Sequence, residues 1–123
     1  MSVIHKFSEE QDQFKWEGVE SISYDSEGIH SVVKHILIGE KEGVPNSIMR
    51  YFDLAPDGHS KLERHSQEHE VLVLRGRGRI QIGEKKFLVE PFDAVFIEGN
   101  ELHQFSNPFD QSFGFICVIP KKS

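Results

Sequence analysis

Residues 63–82 read ERHSQEHEVLVLRGRGRIQI. The charged head gives way at Val71 to a short aliphatic run that stops at Arg75-Gly76, and a second run, RIQI, follows Gly78. Short apolar runs bounded by glycine read as strand, turn, strand. Downstream, Gly83-Glu84 separates RIQI from KKFLV and reads as a tight hairpin. Working outward, the spacing predicts strands near 31–38, 47–54, 68–74, 78–82, 86–89, 94–97, 103–106 and 113–119, with turns at EGNE (98–101) and NPFDQ (107–111). No window carries apolar residues at i, i+3, i+4 and i+7 over three turns, so little helix is expected. This many short strands in one small chain predict an all-β domain, a closed barrel or a sandwich. The stretch FKWEGVESISY (14–24) reads as a strand or as an arm laid over the barrel. Residues 1–30 are therefore expected to be an N-terminal arm or edge strands of the same domain, and 31–121 the barrel proper.

The chain has 123 residues, a prior for one domain. A domain of this size buries roughly 65% of the surface its unfolded chain exposes, so it holds a core without disulfides. The single Cys117 reads as an inert buried thiol. No apolar segment is long enough to span a bilayer, and the N-terminus has no apolar run of a secretory signal. The expected compartment is the cytoplasm. Fourteen Lys and Arg against twenty Asp and Glu give −6, which lacks the positive footprint that displaces counterions from nucleic acid. Arg75, Arg77 and Arg79 share a face if the segment is extended, and are expected to be a solvated hairpin face. Most of the ten Phe residues are expected in the core.

Seven His are present, and the informative ones cluster. Glu63 and His65 are two apart and point the same way on an extended chain. His69 and Glu70 begin the next strand, where alternation turns only one of them inward, and His103 begins another. Side chains from separate strands that converge on a barrel interior make a divalent-metal site, and imidazoles with one carboxylate suit Mn, Fe, Co, Ni or Zn. Read as spacing alone, the same histidines also fit exposed loops. Met49 and Tyr51 share one face of the strand at 47–54, and Arg50 and Phe52 the other. One of these faces meets the cavity. Met49 and Tyr51, with Phe105 on the His103 face, are the expected pocket residues. No Ser-His-Asp order, phosphate loop or Cys-x-x-Cys is present.

These residues resemble the cupin superfamily. Gly58 stands where the first motif opens, Glu63 where its first His is expected, His65 at the second His, His69 at the usual Glu position, and Gly76 at its close. In the second motif PFD (91–93) replaces Pro-x-Gly, and His103-x-x-x-Asn107 matches the end. MRYFDLAPDG, HSQEHEVLVLRGRG, HQFSN and CVIPK together resemble a subgroup of small single-domain bacterial cupins, some labelled oxalate-decarboxylase-like. The resemblance implies a double-stranded β-helix, or jelly-roll barrel, with four His on one metal. Here Glu63 replaces one of them and Ser66-Gln67 replaces Pro-Trp. Either Glu63 binds through oxygen, giving the set Glu63, His65, His69 and His103, or it turns away and leaves three His. Two functions are consistent with this. One is a metal-dependent enzyme on a small organic acid or other oxygenated metabolite, a decarboxylase, isomerase or dioxygenase. The other is a non-catalytic module holding a metal or small ligand. Small cupins of this kind imply a homodimer, with the N-terminal arm and Trp16 as a cover for open strand edges. Neither a nucleic acid nor a membrane is expected as a partner.

Overall fold

The computed structural model describes residues 2–122. Its regular structure is β apart from one 3-10 turn at Glu40–Glu42. The eleven strands are β1 (Phe7–Glu10), β2 (Gln13–Trp16), β3 (Ser21–Ser26), β4 (Ile29–Ile38), β5 (Ser47–His59), β6 (His69–Arg75), β7 (Gly78–Ile82), β8 (Lys85–Val89), β9 (Ala94–Ile97), β10 (His103–Ser106) and β11 (Phe113–Pro120). β1 and β2 form a separate hairpin. The rest make one curled sheet in the order β8-β7-β10-β5-β11-β6-β9, and β4 joins β3 to β5. All pairings are antiparallel.

The curl is carried by β5, which pairs with β11 along its first half and touches β10 only at His59. Pro56-Asp57-Gly58 looks like a turn, yet the strand runs through it. Asp57 takes a left-handed φ of 67°, and Asn107 ties the corner with two backbone bonds, one accepted from Asp57 N and one donated to Gly58 O. A Cβ on Gly58 would meet Ala55 O at 2.8 Å, so a bulkier residue would open the corner. Gly76 has φ +63° and lies against Ser112, where only glycine lets the β6–β7 turn close. The Gly83-Glu84 hairpin is as expected, with Ile82 opposite Lys85.

The core fills the inside of the curl, and Leu54, Val73, Ile80, Ile97, Phe113 and Phe115 are its least exposed members. Only three of the ten Phe, Phe105, Phe113 and Phe115, are in it, whereas Phe7, Phe87, Phe92 and Phe96 are exposed. That corrects the expectation of a Phe-rich core. The three arginines do not form one solvated stripe either. Arg75 ends β6 and pairs with Asp53 and Asp12, Arg77 stacks on Phe109, and Arg79 donates to Ser106 Oγ. The turn at Gly76 breaks the alternation that would have aligned them. No helix among the described residues is long and apolar enough to cross a membrane.

Candidate metal centre

Three elements deliver one imidazole each. His69 opens β6 and His103 opens β10, while His65 stands on the connection between β5 and β6. That connection is fixed on both sides. Glu63 and His103 exchange backbone bonds of 3.1 and 2.9 Å, and Asn100 N donates to His65 O at 2.6 Å. The EGNE turn thus closes over the loop that carries His65. The ligand atoms of His65, His69 and His103 all lie within 4.8 Å of one another, and the three rings approach edge to face at 4.7 to 4.9 Å.

The outward nitrogens are held in two of the three. His103 Nδ1 lies 2.9 Å from Glu101 O, and His69 Nδ1 lies 3.0 Å from Cys117 Sγ. A donor proton on each Nδ1 leaves each Nε2 with a free lone pair. His69 Nε2 lies 3.0 Å from His65 Nε2. Two imidazole nitrogens each about 2.1 Å from one ion, at right angles, would be about 3.0 Å apart. His65 Nδ1 is buried without a protein partner. The donor set and its spacing therefore fit a divalent ion held by three His with positions left open.

Burial favours the neutral form of His65 and His69. Burial pushes His69 down to about 3, helped by His103 and Arg50. Burial and His103 also lower His65, with Glu63 opposing. Cys117 is raised by burial, with Arg50 pulling the other way. Arg50 donates to Cys117 Sγ at 3.2 Å and lies over the Phe52 ring.

The trio lines a cavity of about 250 Å³, whose apolar walls include Phe52, Leu54, Phe105 and Phe115. Phe105 is therefore where alternation from His103 places it. Glu63 also lines this cavity, but its carboxylate is not in the histidine cluster. Residues 62–65 are not a regular strand, yet Glu63 and His65 both line the cavity. Met49 and Tyr51 do not line this cavity; Arg50, Phe52 and Leu54 do. Tyr51 turns to the outside of the sheet, where it stacks on Phe14 at 5.6 Å and packs against Trp16 at 5.0 Å. The arm buries that face, so both faces of β5 look like core in the sequence. Arg50 and Cys117 are the site residues not singled out by residue type. Their cross-strand pairing places them together, and alternation from Phe52 was the signal available for Arg50. Asn107 is structural: it is buried, and its amide caps Leu54 O and Gln111 O.

Known proteins share this architecture. The chain is 39% identical over 112 residues to a protein of Rhodospirillum rubrum named 1-methylthio-D-xylulose 5-phosphate methylsulfurylase, covering 89% of this chain and 70% of that one. A crystal structure of a cupin-2 domain protein from Rhodospirillum rubrum superposes with a TM-score of 0.84 at 36% identity, over 94% of this chain and 78% of that one. The polyketide cyclase RemF of Streptomyces resistomycificus gives a TM-score of 0.79 at 25% identity, over 85% of this chain and 75% of that one. The Cupin domain family (Cupin_2) matches residues 50–119, the span from Arg50 through the histidines to β11, and with the curled all-β sheet around them it places the chain in the cupin family.

Proposed function

We propose that the protein is a metal-dependent enzyme acting on a small oxygenated metabolite. His65, His69 and His103 hold one divalent ion, drawn from Mn, Fe, Ni, Co and Zn. The observation that carries this is the 3.0 Å approach of two imidazole Nε2 atoms, with the outward nitrogens of His69 and His103 already engaged. Such an ion supplies a Lewis acid for a carboxylate, ketone or enediol oxygen. Phe52, Phe105 and Phe115 keep water from the reacting end. Glu63, on the cavity wall, is the carboxylate placed to move a proton, and joins the ion as a further ligand only by rotating inward. The named relative of Rhodospirillum rubrum makes a ketose phosphate the first substrate to try.

The test loads the protein with Mn, measures metal by emission spectroscopy, and assays 1-methylthio-D-xylulose 5-phosphate beside a panel of small organic acids. One ion per chain with turnover supports the reading. His65→Ala and His103→Ala should each abolish stoichiometric metal while keeping a β spectrum, and unchanged stoichiometry in both would sink it. Glu63→Gln should keep the metal and slow turnover. A tightly held ligand that is never turned over would identify a binding module instead.

We further propose a homodimer. The groove at the edge strands β8 and β9, lined by Phe87, Leu88 and Phe96, is an apolar surface of the kind that pairs protomers. The free thiol of Cys117 fits a reducing compartment such as the cytoplasm.

A further inference from the structure

The sheet bounds a second cavity on its other face, away from the histidines. Strand alternation sets it there. Lys34 of β4 and Phe52 of β5 line the metal cavity, so their neighbours Val33, His35 and Asp53 point the other way. With Ser21 and Ser23 of β3 they line a cavity of about 510 Å³. Register sets the side chains in two rows across the sheet, Ser23–Val33–Asp53 and Ser21–His35–Tyr51. The β1–β2 hairpin roofs the space with Phe14 and Trp16. A hairpin held by aromatic packing is expected to dock on an apolar face. Beneath this one the sheet offers two hydroxyls, an imidazole and a carboxylate, groups that cost stability when buried without partners. His35 is only 7% exposed, and its Nδ1 is buried with no protein partner.

The geometry points to this cavity as a binding site for an uncharged polyhydroxy compound of monosaccharide size. It stands independently of the metal-enzyme reading. Charge decides the class. A cation would suit the aromatic lining, but Arg75 already fills that role: its guanidinium lies 4.8 Å from the Phe14 ring centroid and pairs with Asp12 and Asp53. An anion is poorly served, because Arg75 is matched by two carboxylates and Lys15 pairs with Glu10. What remains is hydrogen bonding in both directions. Burial lowers the pKa of His35, so its ring is neutral and carries one donor and one acceptor nitrogen. The hydroxyls of Ser21 and Ser23 also donate and accept. Ligand hydroxyls match such a set, and the rings of Trp16 and Phe14 suit the C–H face of a sugar. A cavity of about 510 Å³ is within the usual range for small-molecule sites.

Trp16 is the only tryptophan, so its emission reports on this cavity directly. The experiment titrates the full chain with D-glucose, D-ribose and D-fructose, and with choline and acetate as charged probes, before and after chelator treatment. At least one sugar should shift the emission saturably at millimolar concentration, equally with and without metal. His35→Phe keeps the ring contacts with Trp16 and Tyr51 but removes both nitrogens, and should weaken that sugar about five- to tenfold. Ser23→Ala should weaken it about threefold, and Lys85→Gln on β8 should leave it unchanged. A flat response to all three sugars overturns the site, as does an affinity unchanged in both His35→Phe and Ser23→Ala. Saturable binding of choline or acetate in place of the sugars overturns the uncharged assignment. Loss of the sugar response in His103→Ala would move the ligand to the metal cavity and overturn the second site.

Discussion

His69 concentrates the chemistry of the site in one side chain. Its Nε2 faces the other two imidazoles while its Nδ1 rests on Cys117 Sγ, so the thiol sets the tautomer that a metal needs. Partners that orient a ligand His typically matter 10- to 100-fold in affinity. Cys117→Ala should therefore weaken metal binding about tenfold, and Cys117→Ser, which keeps an acceptor, should recover most of it; chelator competition measures both. Burial also makes His69 a liability in acid. Unfolded, it takes a proton near 6.5; folded and metal-free, only at about 3. Between those values the unfolded chain binds more protons, so stability is full above about 6.5 and falls as pH drops towards about 3. At pH 5 the loss from this one residue is about 2 kcal/mol. Urea melts of chelator-treated protein at pH 7 and pH 5 should show it, and His69→Gln should flatten the difference.

At the scale of elements, the β1–β2 hairpin makes no strand pairing with the main sheet and is held by aromatic packing. Trp16 sits against Tyr51 and His35, and Arg75 pairs with Asp12. Trp16→Ala should cost about 2 kcal/mol, less than the 3–5 typical of a fully buried aromatic, because Trp16 is only half-buried. Metal affinity should not change, since the hairpin covers the face opposite the histidines. A thermal melt beside a metal titration separates the two effects. The hairpin also explains what the sequence conceals. Short aliphatic runs and Gly punctuation suffice to place β6 through β11, because those strands have one wet face or are bounded by real turns. β5 ends later than its composition implies, since Pro56-Asp57-Gly58 is kept within the strand by the backbone of Asn107, a contact 50 residues away from Asp57 that no local rule contains. Alternation identifies the two faces of β5 but not which one is the cavity, because Tyr51 is completely buried by the arm while Arg50 is not. His69 and His103 are legible because each begins a strand, and His65 because it lies four residues before His69 in the same charged stretch. Glu63 is legible as a cavity residue but not in its separation from the three imidazoles, because the chain between it and His65 is irregular.

For the whole molecule, three of the exposed aromatic and aliphatic residues have a common location. Leu88 is 67% and Phe96 59% exposed, and with Phe87 they line one groove on β8 and β9. These two strands stand at opposite ends of the path through the main sheet, so apolar side chains and unpaired strand edges occur together. A free edge next to exposed aromatics favours another chain. The N-terminal arm is not available to cover this surface, since it is spent on Tyr51 and His35 at the other face. A second copy that buries the groove would hide about 800 Å² per protomer in an interface of standard size. Light scattering at micromolar concentration should give twice the 14.1 kDa of one chain. Leu88→Glu with Phe96→Glu should return that mass to one chain. Both side chains are exposed, so the double variant should keep its β spectrum and its metal, with stability changed by about 0.5 kcal/mol per site or less. A wild-type mass of one chain would remove the dimer, and a double variant that stays dimeric would move the interface off this groove.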